Sequence, residues 1–286
     1  MVIGQSGIHA DIDSGASQTI SRLYAVQLYA SNSYDMDYPN NTDLTYSWTY
    51  DILLSSNSNC RGFVDNKRSI FTIGNLFLVQ DEIYAFTVTV QNSMGLAAQA
   101  SVELSVKAED LPIIYTDDDS RRPYSDSDRV VLIGDVGAFT QEAQAMWTLL
   151  DDDATAPISF STPTTSYINQ GSSEFQALIS AYALTPGLSY TFQLSAKYTC
   201  DTCTDTASTS TVHVTVNKPP RGGNWIVTPV IGTSLLTVFY LSSYYWVDDV
   251  EDMPLNYAFQ YYTVHPSEVI VTKKSGEVPY HTSYIS

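Results

Sequence analysis

The chain has 286 residues, with 31 acidic against 13 basic side chains and a net charge of −18, yet only 15% of it is charged. That length suits two complete sandwich-sized domains and part of a third, each with its own core. The charge opposes nucleic-acid backbones and anionic membranes and favours cations and cationic partners.

No apolar run approaches the roughly 18 residues of a bilayer span. The opening MVIGQSGIHADIDSG has neither the basic start nor the apolar centre of a secretory signal, so a signal or anchor is expected outside the chain or absent. Tyr is abundant at 21 residues and Cys scarce at 3, which suits a surface β-protein whose cores, rather than a disulfide framework, hold the fold.

A first domain is expected over 1–108. Its short alternating runs, SRLYAVQLYA, LTYSWTY and IYAFTVTV, are broken by Asn, Asp and Gly. Trp48 takes the place of the buried strand-C tryptophan of a sandwich. Tyr84 begins a strand continued by Phe86 and Val88, and Val102, Leu104 and Val106 form the last strand.

A second domain is expected over 109–218, opening at AEDLP, where Pro112 stops a strand. Leu78, Tyr84, Phe86 and Val88 recur at one constant spacing as Leu184, Tyr190, Phe192 and Leu194. Val212, Val214 and Val216 repeat the last strand after a slightly longer hairpin, and Trp147 repeats Trp48. Both tyrosines are read as corners whose hydroxyls bond back to the preceding turn. Only GAFTQEAQAMW holds a helical period, so the fold class is all-β: tandem immunoglobulin-like or fibronectin-III-like β-sandwiches.

A partial third domain is expected over 219–286, with Phe259 of LNYAFQYY where Trp48 stood in the first. It is expected to be truncated or completed by another chain. That would leave Val238, Phe239, Tyr257 and Phe259 uncovered and its strand edges open to a partner.

The third segment carries Asn217, Pro219, Pro220, Gly222 and Gly223, then Pro229 and Gly232, then Trp246, Asp248, Asp249, Asp252, Pro254, Leu255, Tyr257 and Phe259. This pattern resembles the receptor-for-egg-jelly (REJ) region of polycystin-type proteins, and ASNSYDMDYPNNTDLTYSW resembles the related polycystic-kidney-disease type of Ig-like repeat. The resemblance implies large extracellular, cell-surface or ciliary and flagellar surface proteins acting in adhesion, recognition or mechanosensation through non-catalytic domains. Where the family often has cysteines near the Gly-Gly and before the Trp, this chain has Trp225 and Ser243-Tyr244-Tyr245. Tyr50 likewise stands where a partner for Cys60 would often be.

Several residues are candidate sites. Asp35, Asp37 and Asp43, Asp117 to Asp119, Asp151 to Asp153, and Asp248, Asp249, Glu251 and Asp252 are either solvated turn residues or Ca²⁺ ligands, with the last group the best candidate. No other cofactor is expected. Cys200 and Cys203, inside a hairpin, are expected to form a local disulfide or remain thiols, and Cys60 to be buried or linked to another chain. Asn40 heads a glycosylation sequon in a loop.

None of His9, His213, His265 and His281 lies in a metal or nucleophile motif, and His281-Thr282-Ser283 lacks the Leu of the His-Leu-Ser/Thr autoproteolysis site. The chain is therefore expected to be non-catalytic. Its expected partners are copies of itself or neighbouring surface-protein subunits. Glycans stacked on Trp225, Tyr244, Tyr245, Tyr261 or Tyr262 are the alternative, with no nucleic acid and no membrane contact.

Overall fold

A computed structural model describes residues 7–13, 15–38, 43–53, 62–64, 67–117, 123–150, 158–249, 252–262, 270–276 and 279–284. Its regular elements are all strands. They fall into two compact units, Met1–Asn217 and Lys218–Ser286.

The first sandwich runs β1 (Ile8–His9), β2 (Ser17–Ser21), β3 (Val26–Tyr29), β4 (Tyr34–Asp35), β5 (Thr45–Ile52), β6 (Gly62–Val64), β7 (Ile70–Ile73), β8 (Ile83–Gln91) and β9 (Ala97–Lys107). In β8 the alternation seen in the sequence becomes alternating burial, with Tyr84, Phe86, Val88 and Val90 inward. Trp48 on β5 is fully buried, stacks on Phe71 of β7, and donates its indole N–H to the Arg68 carbonyl at 3.0 Å. Burial of that ring is affordable because its one polar atom has a partner.

The second sandwich repeats this plan with β10 (Ile113–Asp117), β11 (Val130–Ala138), β12 (Ala143–Leu149), β13 (Thr165–Ile168), β14 (Gly171–Ile179), β15 (Ser189–Tyr198) and β16 (Ser208–Thr215). A β10-β11-β14 sheet faces a β13-β12-β15-β16 layer over a core centred on Trp147, whose N–H reaches the Phe175 carbonyl at 3.3 Å. The window with helical spacing, GAFTQEAQAMW, instead supplies the end of β11 and most of β12. There Ala143, Ala145 and Trp147 alternate inward, so burial against the facing sheet overrides the local period.

The tyrosine corners repeat down to single hydrogen bonds. Val79 N–H donates to the Tyr84 hydroxyl at 3.0 Å, and Thr185 N–H to that of Tyr190 at 2.9 Å. Each preceding turn passes through a left-handed residue, Asp81 (φ 62°) or Gly187 (φ 79°). Its N–H donates to the last strand, Asp81 to the Val106 carbonyl at 2.8 Å and Gly187 to that of Val216 at 2.9 Å.

The two sandwiches do not merely follow one another. Strand β2 pairs parallel to β9 of its own sandwich and antiparallel to β16 of the other, giving one nine-stranded sheet in the order β13-β12-β15-β16-β2-β9-β8-β5-β6. Each half still has its own apolar core.

The second unit contains β17 (Asn224–Thr228), β18 (Val238–Tyr244), β19 (Tyr257–Tyr262), β20 (Ile270–Gly276) and β21 (Tyr280–Tyr284), arranged as a β17-β18-β21 sheet and a β19-β20 pair. Gly223 is required here, because a Cβ on it would lie 1.9 Å from the Trp246 ring. Of the four side chains expected to be uncovered, Val238 is exposed, and Phe239 and Tyr257 are half-buried. Phe259 corrects the expectation: it is buried, as is Leu241, one apolar side chain from each sheet.

Replacing Tyr84 or Tyr190 with Phe leaves the ring in its core and removes one acceptor from a turn N–H. Each substitution is expected to lower stability by about 1 kcal/mol in urea denaturation.

Candidate functional site

The seam between the first two sandwiches is built from hydroxyl and amide side chains rather than from a third apolar core. Gln18, Ser208, Ser210 and Thr211 are all buried there. Thr211 accepts the Ser17 N–H at 3.2 Å and donates to the Ser17 carbonyl at 3.3 Å, and Thr209 bonds Thr19 at 2.9 Å. Ser21 donates to the Glu109 carbonyl at 2.6 Å, so the connecting segment is fastened as well. Gly15 makes the close approach possible, with φ at +73° and a notional Cβ only 1.6 Å from the Thr211 carbonyl oxygen.

Asp13, 5% exposed, closes one end of the seam. It accepts hydrogen bonds from Asn32 at 2.8 Å and from the Tyr115 hydroxyl at 3.2 Å. Burial, then the neighbouring Asp11, push its carboxyl up to about 6, against the lowering effect of the Asn32 and Tyr115 bonds; Asp117 adds a smaller upward push. Tyr115 also meets Tyr29 edge-on at 5.4 Å. At the other side Tyr24 donates to Asp110 at 2.7 Å. Burial first, then the carboxylate partner, raise the phenol pKa of both Tyr24 and Tyr115.

Between these groups lies a cavity of about 380 Å³, lined by the first sandwich around residues 18–29 and the second around residues 111–115 and 208–209. The sequence reading did not find this site. Its signals are faint: two short Ser/Thr-rich strands and a Gly before one of them.

The sequence-derived candidates lie elsewhere. Asp35 is an internal capping carboxylate: it accepts Asn92 Nδ2 at 2.8 Å and the backbone N–H groups of Asp37 and Tyr38 at 3.0 and 3.3 Å. The Asn92 bond, aided by those N–H groups, holds its pKa below the usual carboxylate range despite burial. Asp37 is half-buried on the same turn, while Asp43 and Asp117 are exposed.

Asp248 accepts the Asp249 N–H at 3.1 Å, and Asp252 N–H donates to the Asp249 carbonyl at 3.1 Å, so these residues order a turn. Among the described residues, no three His, Cys, Asp or Glu side chains are grouped to hold a metal ion. Glu251, Asp118, Asp119, Asp151 to Asp153, Asn40 and Cys60 lie outside the described residues.

Cys200 and Cys203 are joined by a disulfide at the tip of the β15–β16 hairpin, beside the Lys197–Asp205 ion pair at 2.6 Å. Trp48, Tyr84, Trp147 and Tyr190 are core residues, and half-buried Trp246 donates to the Ser243 hydroxyl at 2.7 Å. Trp225 and Tyr245 are exposed, Tyr244 and Tyr261 half-buried.

Two outcomes test the seam. The folded chain keeps the Asp13 proton between about pH 4 and 6, where the unfolded chain has released it, so this contribution is full below about pH 4 and lost as pH rises through 6. It is worth at most about 3 kcal/mol. Urea denaturation should find the chain more stable at pH 5 than at pH 7.5, and Asp13→Asn should flatten that difference beyond what general charge repulsion leaves. Gly15→Ala should cost about 2–4 kcal/mol and speed amide hydrogen exchange along β2.

Comparison with known proteins places these features in a family. No match was found among curated protein sequences. Among solved structures, the chain is similar to Salmonella alpha-2-macroglobulin reacted with methylamine, at 10% identity and a TM-score of 0.32, over 77% of this chain and 17% of that one. The chain thus spans 17% of that protein's length. It is also similar to a 1.5-MDa bacterial ice-binding adhesin (16% identity, TM-score 0.28, 85% of this chain and 78% of that one). A third is the chicken CNTN1 FN1-FN3 domains (14% identity, TM-score 0.25, 76% and 67%). The REJ domain model matches residues 1–284. With a match that runs through both sandwiches and the second unit, the chain belongs to the REJ domain family.

Proposed function

We propose that this chain is a non-catalytic extracellular segment of a larger surface protein or filament, structural or adhesive in role, that works by binding protein: copies of itself or neighbouring subunits. Family membership supports an extracellular or cell-surface setting; a ciliary or flagellar surface is one form of it within this proposal. The observation that carries the reading is the imbalance of the second unit. Its described residues bury two apolar side chains, Leu241 and Phe259, while Val230, Ile231 and Leu236 are 78–86% exposed on one ordered loop.

That loop is held in shape by Thr233 N–H donating to the Thr237 hydroxyl at 2.8 Å and by the Leu236 and Thr237 N–H groups donating to the Thr233 carbonyl. Next to it, Ile226, Val238, Tyr240 and Tyr280 expose apolar surface on one face of the β17-β18-β21 sheet. Exposed apolar side chains concentrated on one loop and the sheet face it joins suit an interaction surface, and each aliphatic side chain buried there is worth about 1.5–3 kcal/mol.

A glycan-binding reading is second. It rests on the exposed rings of Trp225 and Tyr245, the latter packed edge-on against Tyr244 at 4.8 Å.

Sedimentation equilibrium tests the first reading. Association should strengthen with concentration, and the triple substitution Val230→Ser, Ile231→Ser, Leu236→Ser should weaken it at least about tenfold, or 1.4 kcal/mol. A chain that stays monomeric up to about 0.1 mM while binding members of a glycan array would overturn it in favour of the second.

A further inference from the structure

We propose that the seam cavity between the two sandwiches is a receptor for an arginine side chain presented by a partner protein. This site is separate from the apolar surface of the second unit and does not depend on it.

The chemistry of the walls selects the ligand. Three half-buried tyrosines, Tyr24, Tyr29 and Tyr115, line the cavity together with apolar groups such as Ile20, Val26 and Leu111, and among the described residues no charged side chain lines it. A volume of about 380 Å³ accepts one long side chain and sits at the small end of ligand pockets. Two of the rings are backed by negative charge, since the Tyr24 hydroxyl donates to Asp110 and that of Tyr115 to Asp13, and the third, Tyr29, meets Tyr115 edge-on. A phenol that donates to a carboxylate has a more electron-rich ring, which deepens its attraction for a cation.

Asp11 and Asp117 add to the negative field at the Asp13 end, and the net charge of −18 draws cations from a distance. Arg22, adjacent to the lining residue Ser21, is engaged by Gln80 at 3.4 Å.

A neutral sugar would match the tyrosines but gain nothing from the carboxylates behind them. A hydrated ammonium would lose more water than an apolar-walled site returns. Guanidinium is planar, weakly hydrated and suited to stacking on aromatic faces, and its three-carbon stem matches the aliphatic wall.

The test is an amide chemical-shift titration of the full chain with N-acetyl-arginine amide, and in parallel with N-acetyl-citrulline amide, its neutral isostere. Saturable shifts are expected at residues 20–24 and 113–115 with the arginine compound, at least about tenfold weaker with citrulline, equivalent to 1.4 kcal/mol. Tyr29→Leu should weaken binding about fivefold or more, as expected for loss of one cation–π wall, while Tyr167→Leu, on an exposed ring of β13, should leave it unchanged. Should Tyr29→Leu fail to fold, Ala25→Trp at the exposed rim of the same cavity should block the shifts without emptying a core position. Equal binding of the citrulline compound, absence of saturation, or binding that survives Ala25→Trp would each overturn the proposal.

Discussion

The first 217 residues depend on one strand being shared. In a sandwich the final strand is an edge, with a row of backbone N–H and C=O groups that must find partners or stay open to other chains. Here both final strands, β9 and β16, would be such edges, and β2 closes both at once by lending one side to each. The parallel pairing with β9 covers five residues and the antiparallel pairing with β16 only two, Thr209↔Thr19 and Ser210↔Gln18. The short side is reinforced by side chains: Thr211 clasps Ser17 through both its N–H and its carbonyl, and Gly15 lets the backbones meet.

That device explains why the seam is polar. A strand with a sandwich on each side cannot turn an apolar face toward both cores, so β2 carries Ser, Gln and Thr and fills its environment with hydrogen bonds. A buried polar network of this type fixes register when every member is satisfied. It also creates a place where a carboxylate, Asp13, can sit buried against the Tyr115 hydroxyl with its proton affinity raised.

The features legible in the sequence were those with strong local patterns. Trp48, Trp147, Tyr84 and Tyr190 could be placed because alternation of period two and a repeated turn mark a half-buried strand without reference to anything distant. The β2–β16 contact joins residues nearly two hundred positions apart through short side chains common in any loop, so no local pattern encodes it. For the same reason Asp13 and Tyr115 stood out in no motif, although they meet across 102 positions. Asp35 shows the opposite case: its acidic run left a turn residue and a Ca²⁺ ligand both readable, and neither reading contains its buried capping role, in which it accepts two backbone N–H groups and Asn92 Nδ2.

The second unit obeys a different economy. Its motif residues are explained locally, as Gly223 and Trp246 are by their contact, but its described side chains do not assemble a core comparable to those of the two sandwiches. Shielding of Leu241 and Phe259 alone offsets little of the conformational entropy of ordering five strands. The remaining apolar area, ordered on a fixed loop and a sheet face, gains most when another surface covers it. Two unlike surfaces therefore occur in one chain: a hydrogen-bonded seam made by joining two complete sandwiches, with carboxylates behind its tyrosines, and exposed apolar side chains on the second unit, whose described residues bury only Leu241 and Phe259 among their large apolar side chains.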